Sequence, residues 1–135
     1  MNNEITKEME IIWSDDENYS VDQKLESFKK LGLITTKTDL PQLLELLESP
    51  RNDFWTREML SVLISKLGGP DYLHQLFNAL KLNDEEEYDS DTLRFYLTEM
   101  AELHPEECKN VLTDLLSKED FEHRKYAEWL LEFCK

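Results

Sequence analysis

Three histidines and two cysteines are the side chains of this sequence best suited to nucleophilic or acid–base catalysis. None of the histidines, His74, His104 and His123, has a serine or cysteine and an acid at a spacing typical of a catalytic triad. With only three glycines, the chain also has no glycine-rich loop that would cradle a phosphate group. The sequence therefore predicts a protein that is not an enzyme.

Metal binding has two weak candidates in the sequence. His104 and Cys108 are four residues apart and would share one face of a helix, but a structural zinc site needs four ligands and a second pair is missing. Residues 83–91 offer carboxylates for calcium, yet they lack the turn glycine and the ligand spacing of an EF-hand loop. We therefore predict no metal site and no cofactor.

The acidic residues are concentrated in one part of the chain. Residues 83–107 contain ten acids and one base, Arg94, which gives this stretch −9 of the formal net charge of −15. A clustered negative surface attracts basic proteins and accelerates encounter with them, and long loops in compact repeats are often functional. The alternative is a mobile, solvated loop without a partner. We favour a binding surface, because solubility does not require the charges to be clustered.

A partner-binding site is predicted from this clustering. The acidic segment (residues 83–91) would supply steering and rim contacts, the next helix would extend the patch, and Trp55 or Tyr88 would be the desolvated anchor. The predicted partner-binding residues are Trp55, Asp84, Glu85, Glu86, Glu87, Tyr88, Asp89, Asp91, Glu99 and Glu102. For most aromatic residues, packing in the core is the alternative.

Composition favours an all-α chain of one ordinary domain. The 135 residues include 3 glycines and 4 prolines, fewer than sheets with tight turns usually need, and the dominant leucine, glutamate and lysine are good helix formers. A net charge of −15 repels nucleic acid and anionic membranes, although acidity that only maintains solubility is the simpler interpretation. Residues 1–4 lack a signal-peptide pattern, and no apolar run approaches membrane-spanning length, so we expect a cytoplasmic protein.

Apolar residues recur with helical spacing, and this pattern itself repeats along the chain. Sets with the i, i+3, i+4, i+7 spacing begin at Leu40, Leu73 and Cys108, which are 33 and then 35 residues apart. The sequence predicts a single domain, residues 1–135, with four helical hairpins near residues 4–32, 39–68, 70–104 and 105–135. Because no hairpin buries its apolar stripe alone, we predict that the hairpins stack into an α-solenoid, with a helical bundle as the alternative.

Prolines, glycines and capping residues predict several helix boundaries. Pro41 and Pro105 occupy positions where a first helical turn tolerates proline, and Thr38 and Asp39 are candidate caps before Pro41. Gly32 and residues 68–70 are predicted to end helices.

The second helices of the predicted hairpins resemble HEAT repeats, which carry an aspartate before that helix and an arginine four residues later. The matching positions are Asp53 with Arg57, Asp120 with Arg124, and Arg94 after Ser90, which Asp89 and Asp91 flank. Residues 17 and 21 of the first hairpin lose the pattern, so the resemblance covers roughly residues 39–134. It implies a right-handed superhelix, an Asp–Arg ladder in which Asp53, Asp91 and Asp120 pair with the arginines, and protein binding without one fixed function.

Small size, one domain and clustered acidity together predict a protein-binding inhibitor. The class that fits best is a bacterial immunity protein that blocks a basic toxin, with a nuclease as the expected target, because a site that holds phosphate is positive and an acidic surface can cover it. The alternatives are a helical-repeat scaffold or adaptor and, third, an enzyme or the regulatory subunit of one. We expect a basic protein partner, no nucleic acid and no membrane.

The last predicted helix leaves the oligomeric state open. A terminal repeat should present a polar outer side, yet the apolar residues between Tyr126 and Cys134 would cover more than one helix face. Either this helix packs on another chain or it is buried more deeply than usual in its own. We expect a monomer, with a homodimer through the last helix as the alternative.

Overall fold

The computed structural model describes residues 2–135, and within this range it contains eight α-helices, two 3-10 turns and no β-strand. The α-helices are α1 (Asn3–Trp13), α2 (Val21–Ile34), α3 (Leu40–Leu47), α4 (Phe54–Gly68), α5 (Leu73–Glu85), α6 (Asp91–Leu103), α7 (Pro105–Leu116) and α8 (Arg124–Leu131). The 3-10 turns are Lys37–Asp39 and Gly69–Tyr72. The prediction of an all-α chain is confirmed.

The apolar faces of the helices meet in one core. The largest side chains that are fully buried are Ile5, Met9, Leu31, Leu43, Leu60, Ile64, Leu73, Leu76, Phe77, Leu80, Leu93 and Leu97. The three repeated stripes that begin at Leu40, Leu73 and Cys108 all contribute to this core. For these three stripes, helical spacing in the sequence therefore identified the buried faces correctly.

Neighbouring helices pack both within and between the predicted hairpins. Helix α1 packs on α2, α3 on α4, and α7 on α8. Between hairpins, α4 contacts both α5 and α6, α6 contacts α7 and α8, and α5 contacts α7. Helices α4, α6 and α8 are thus in contact one after another, and α5 lies beside α7.

Most of the predicted helix boundaries agree with the structure, and two differ. Pro41 lies in the first turn of α3, α7 begins at Pro105, and α4 ends at Gly68. The prediction that Gly32 ends a helix is wrong, because α2 continues to Ile34. Asp39 precedes α3, but its carboxylate accepts a hydrogen bond from the Thr36 amide at 2.9 Å and does not cap α3.

Two glycines give a matched test of backbone conformation. Gly69 has φ 63° and ψ −150°, a region open almost only to glycine. Gly32 lies on the exposed side of α2, and a Cβ there would meet no atom within 4 Å. We expect Gly69→Ala to lower the free energy of unfolding by about 1–3 kcal/mol and Gly32→Ala to raise it by about 0.5–1 kcal/mol. Urea unfolding of both variants checks this, and equal effects would contradict the assigned conformations.

Candidate functional site

A buried polar network joins α4 to both ends of the acidic segment. Asn83 is fully buried, and its side-chain oxygen accepts a hydrogen bond from Arg57 Nη1 at 2.8 Å. Its amide nitrogen donates to Glu58 Oε2 at 3.2 Å and to Ser90 Oγ at 2.9 Å. The other oxygen of Glu58 accepts from the Leu93 backbone amide at 2.9 Å, in the first turn of α6. The network therefore holds the segment where it leaves α5 and where it enters α6.

The charged members of this network are compensated within the fold. Burial raises the pKa of Glu58 above its ordinary value of 4.5, and the hydrogen bonds from the Leu93 amide and the Ser90 hydroxyl oppose that rise. Among residues 2–135, no buried side-chain nitrogen or oxygen atom lacks a hydrogen-bond partner. Because an unsatisfied polar group in the interior is costly, this network depends on each of its members.

Two acids of the segment are engaged inside the fold. Asp84 lies in the last turn of α5, where the negative end of the helix dipole disfavours a carboxylate. It is 3.6 Å from an Arg94 nitrogen and accepts a hydrogen bond from the Tyr126 hydroxyl. Glu86 accepts a hydrogen bond from the buried Arg57. These contacts offset the unfavourable position of the two acids and fix the course of the segment.

The other acids of the segment face outward. Glu85, Glu87, Asp89 and Asp91 are exposed, and in the part of the chain that the structure describes their side chains make no ion pair or hydrogen bond. Tyr88 is 52% exposed and stacks on Phe54, with ring centroids 4.5 Å apart. Only residues 86–90 separate α5 from α6, so the connection is shorter than predicted. The result is a fixed acidic edge with one exposed aromatic ring.

The remaining predicted site residues lie further away. Glu99 and Glu102 are exposed on α6, roughly 12–17 Å along the helix from Asp91 at 1.5 Å per residue. Trp55 is half-buried and packs edge-on against Phe28 of α2, with ring centroids 4.9 Å apart. Tyr88, and not Trp55, is therefore the aromatic residue that stands within the acidic segment.

The aspartates of the expected Asp–Arg ladder do not contact the arginines. In residues 2–135 the arginines have other partners: Arg57 binds Asn83 and Glu86, Arg94 binds Asp84, and Arg124 donates to the Lys118 carbonyl. Asp53 instead caps α4 by accepting a hydrogen bond from the Thr56 amide at 2.9 Å. The predicted pairing of Asp53, Asp91 and Asp120 with the arginines is wrong. Acids at the C-terminal end of α5 bind Arg57 and Arg94, and a backbone carbonyl binds Arg124.

Helix α8 packs its aromatic residues against its own chain. Tyr126 stacks on the core residue Phe77, with ring centroids 5.9 Å apart. The Arg94 guanidinium lies 5.0 Å from the centre of the Trp129 ring, and the apolar residues of this helix are all buried or half-buried. Tyr126, Trp129 and Leu131 are thus partly buried against the core of their own chain.

The contact between Tyr126 and Asp84 can be tested by titration. Burial, assisted by the hydrogen bond to Asp84, raises the pKa of Tyr126 from 10 to about 12. Because the folded state holds the phenolic proton more tightly, the associated stability is complete below pH 10 and is lost as the pH rises towards 12. We expect Asp84→Asn to lower the pKa of Tyr126, read from tyrosinate absorbance. The late titration step should disappear in Tyr126→Phe, and its persistence there would contradict the assignment.

An apolar groove between α2 and α4 was not predicted. It has a volume of about 760 Å³, and its apolar lining residues are Leu25, Phe28, Met59, Val62, Leu63 and Leu67. Val21 and Leu25 of α2 are exposed beside it. Their helical spacing marks a core face in sequence, and nothing in the sequence distinguishes an exposed apolar stripe from a buried one.

The structure groups the histidines and cysteines differently from the His104–Cys108 pair considered in the sequence. His104 is exposed whereas Cys108 is buried, and burial with the nearby Cys134 raises the pKa of Cys108 to about 12. Both cysteines are free thiols. His74, Glu122 and His123 instead come together, with one potential ligand atom of each within 4.8 Å of the others. Sequence reasoning missed this cluster because His74 and Glu122 are 48 positions apart in the chain.

Comparison with models of protein families, with curated proteins and with solved structures finds no match to this chain. Among residues 2–135, no helix combines the length and the apolar character that crossing a membrane requires.

Proposed function

We propose that this chain is a protein-binding inhibitor of the immunity-protein class, which neutralises a basic toxin by covering its active surface. The expected target is a nuclease, and the interaction involves neither nucleic acid nor membrane. The observation that carries the proposal is the acidic segment, which hydrogen bonds from buried residues anchor at both ends. Four of its exposed carboxylates, Glu85, Glu87, Asp89 and Asp91, have no ion pair or hydrogen bond among residues 2–135.

Preorganised charge is what such an inhibitor needs. A flexible acidic loop would lose conformational entropy on binding, at about 0.5–1.5 kcal/mol for each side chain that becomes ordered. Here the backbone is already fixed by Asn83, Glu58 and Arg57 before any partner arrives. Complementary charges raise association rates from the ordinary 10⁵–10⁶ M⁻¹s⁻¹ to as much as about 10⁸ M⁻¹s⁻¹ at low salt. A fixed negative edge therefore favours rapid capture of a basic protein.

Tyr88 supplies a short-range aromatic contact, which long-range charge attraction does not provide. Hot spots in interfaces are enriched in tyrosine, tryptophan and arginine that become desolvated near the centre of the contact. The Tyr88 ring is half-exposed and already oriented by stacking on Phe54. We assign Tyr88 the role of anchor, and Glu99 and Glu102 the role of an outer rim along α6.

The arrangement of helices that presents this surface is, in our proposal, a HEAT-like α-solenoid of four hairpins. The succession of contacts from α4 to α6 to α8, with α5 beside α7, supports two layers of stacked helices. The partial burial of Tyr126 and Trp129 against their own chain supports a monomer. A cytoplasmic location belongs to the same proposal, because the free thiols of Cys108 and Cys134 suit a reducing compartment.

A scaffold or adaptor is the second candidate function, and the groove between α2 and α4 favours it. This groove is largely apolar, whereas the acidic segment connects α5 to α6. Two surfaces of different chemistry would allow one chain to hold two partners together. In that case the acidic segment would bind without inhibiting.

The first experiment is a pull-down with the full chain from the native cell lysate at low and high salt. We expect one basic protein that salt releases, because exposed charge pairs are screened within about 10 Å at 0.1 M ionic strength. The purified partner is then assayed for nuclease activity, and the chain should abolish that activity at a 1:1 ratio. Full activity at saturating chain would contradict inhibition, and recovery of several unrelated proteins would favour the scaffold.

A further inference from the structure

A cluster of two imidazoles and a carboxylate lies between α5 and the residues that lead into α8. His123 Nε2 is 3.5 Å from a Glu122 carboxylate oxygen, and the His74 and His123 rings are 5.7 Å apart and nearly perpendicular. One potential ligand atom from each residue lies within 4.8 Å of the other two. Tetrahedral zinc places nitrogen and oxygen ligands about 2.0–2.2 Å from the metal, so modest side-chain rotations would close this cluster around an ion.

One member of the cluster is held rigidly and another is free to adjust. His123 is only 3% exposed and contacts the Phe121 ring. Its Nε2 shares a hydrogen bond with Asn78 Oδ1, which a metal ion bound at Nε2 would replace. Glu122 is 57% exposed on its side chain, and its other neighbour is Lys81 at 3.8 Å. A cation at this point would replace an exposed and weak ion pair, while the buried imidazole would fix the position of the site.

We propose that His74, Glu122 and His123 bind a divalent transition-metal ion of the zinc class, with water or the Asn78 side-chain oxygen as the fourth ligand. Imidazole nitrogen with one carboxylate suits zinc, cobalt and nickel, whereas magnesium and calcium prefer oxygen ligands alone. The ion would link α5 directly to the start of α8. It therefore stabilises the last hairpin, a role separate from the acidic segment and from the inhibitor proposal.

The test uses the full chain, stripped of metal with a chelator and then titrated with zinc sulfate against a chromogenic indicator. We expect one zinc ion per chain, a visible spectrum typical of four-coordinate cobalt(II) after cobalt addition, and no competition from excess magnesium. Loss of a ligand in His74→Ala or Glu122→Gln should weaken zinc binding by more than about 100-fold, since even partners of the ligands matter by 10–100-fold.

Two matched variants and a folding readout complete the design. His104→Ala and Glu119→Gln remove the remaining histidine and a nearby exposed acid, and both should bind zinc like the parent chain. Zinc should raise the melting temperature of the parent and of these controls, but not that of Glu122→Gln, whose exposed position leaves the fold intact. Unchanged binding in His74→Ala and Glu122→Gln, or binding lost only on removal of the exposed acids of residues 83–91, would overturn the proposal.

Discussion

Replacing Glu85, Glu87 and Asp89 with lysine is expected to slow association with a basic partner by tenfold or more while the fold remains intact. These three carboxylates are exposed and make no ion pair among residues 2–135, so their reversal breaks no internal contact. Attraction across the approaching surfaces becomes repulsion, and rim charges act mainly on the association rate. Stopped-flow association at two salt concentrations measures the effect, which should shrink at high salt.

The choice of these three acids matters because their neighbours have structural roles. Reversal of Glu86 would place a lysine against the buried Arg57. Reversal of Asp84 would place a lysine against Arg94 and would remove the acceptor of the Tyr126 hydrogen bond. Such changes would alter folding and binding together. Leaving Asp84 and Glu86 in place separates the two effects.

A charge-matched variant provides the control. Lysine at positions Glu17, Glu45 and Glu48 changes the net charge by the same amount, and these acids are exposed, outside the acidic segment and without ion pairs in the described chain. We expect its association rate to stay within about threefold of the parent, because charges farther than a Debye length of about 10 Å are screened. Equal slowing in both variants would show that total charge, and not the acidic segment, attracts the partner.

The helices and their buried faces were predictable because both follow from local rules. The spacing of Leu73, Leu76, Phe77 and Leu80 places them on one face of any α-helix, and that face is buried. Proline tolerance at a first turn depends on the local backbone alone, which explains why the first-turn positions of Pro41 and Pro105 were predicted correctly. Gly32 failed as a terminator because a glycine inside a helix costs only about 1 kcal/mol, which the packing of α2 on α1 outweighs.

Which acids of the segment bind inside the fold, and which remain without a partner there, was not predictable from the sequence. Glu85 and Glu86 are adjacent residues of the same type, yet only Glu86 contacts Arg57, which lies 29 positions earlier in the chain. That contact depends on how α4 packs against α5, which is information that no local pattern contains. The same is true of the cluster that His74 forms with His123. Composition located the acidic segment, and only tertiary structure separates its acids without internal partners from Asp84 and Glu86, which bind within the fold.

The second large expected effect concerns the buried network that holds the acidic segment. We expect Asn83→Ala to lower the free energy of unfolding by about 3–4 kcal/mol. Asn83 bonds to both Arg57 and Glu58, and hydrogen bonds to charged groups contribute about 1.5–3 kcal/mol each. Without the Asn83 amide, a buried carboxylate and a buried guanidinium each lose a partner that water cannot replace. Since a domain is stable by about 5–15 kcal/mol, the loss would be easily measured by urea unfolding.

Two controls identify the cause of that loss. Asn83→Leu fills most of the vacated volume without restoring the hydrogen bonds, so recovery in this variant would point to a cavity and contradict the polar network. Glu86→Gln weakens only the exposed side of the Arg57 contact and should lower the free energy of unfolding by less than about 1 kcal/mol.

Hydrogen exchange of the Tyr88 amide, which donates to the Asn83 carbonyl at 2.9 Å, reports the order of the acidic segment directly. Faster exchange together with slower partner association would show that the buried network prepares the acidic edge for binding; faster exchange with unchanged association would confine the network to stability.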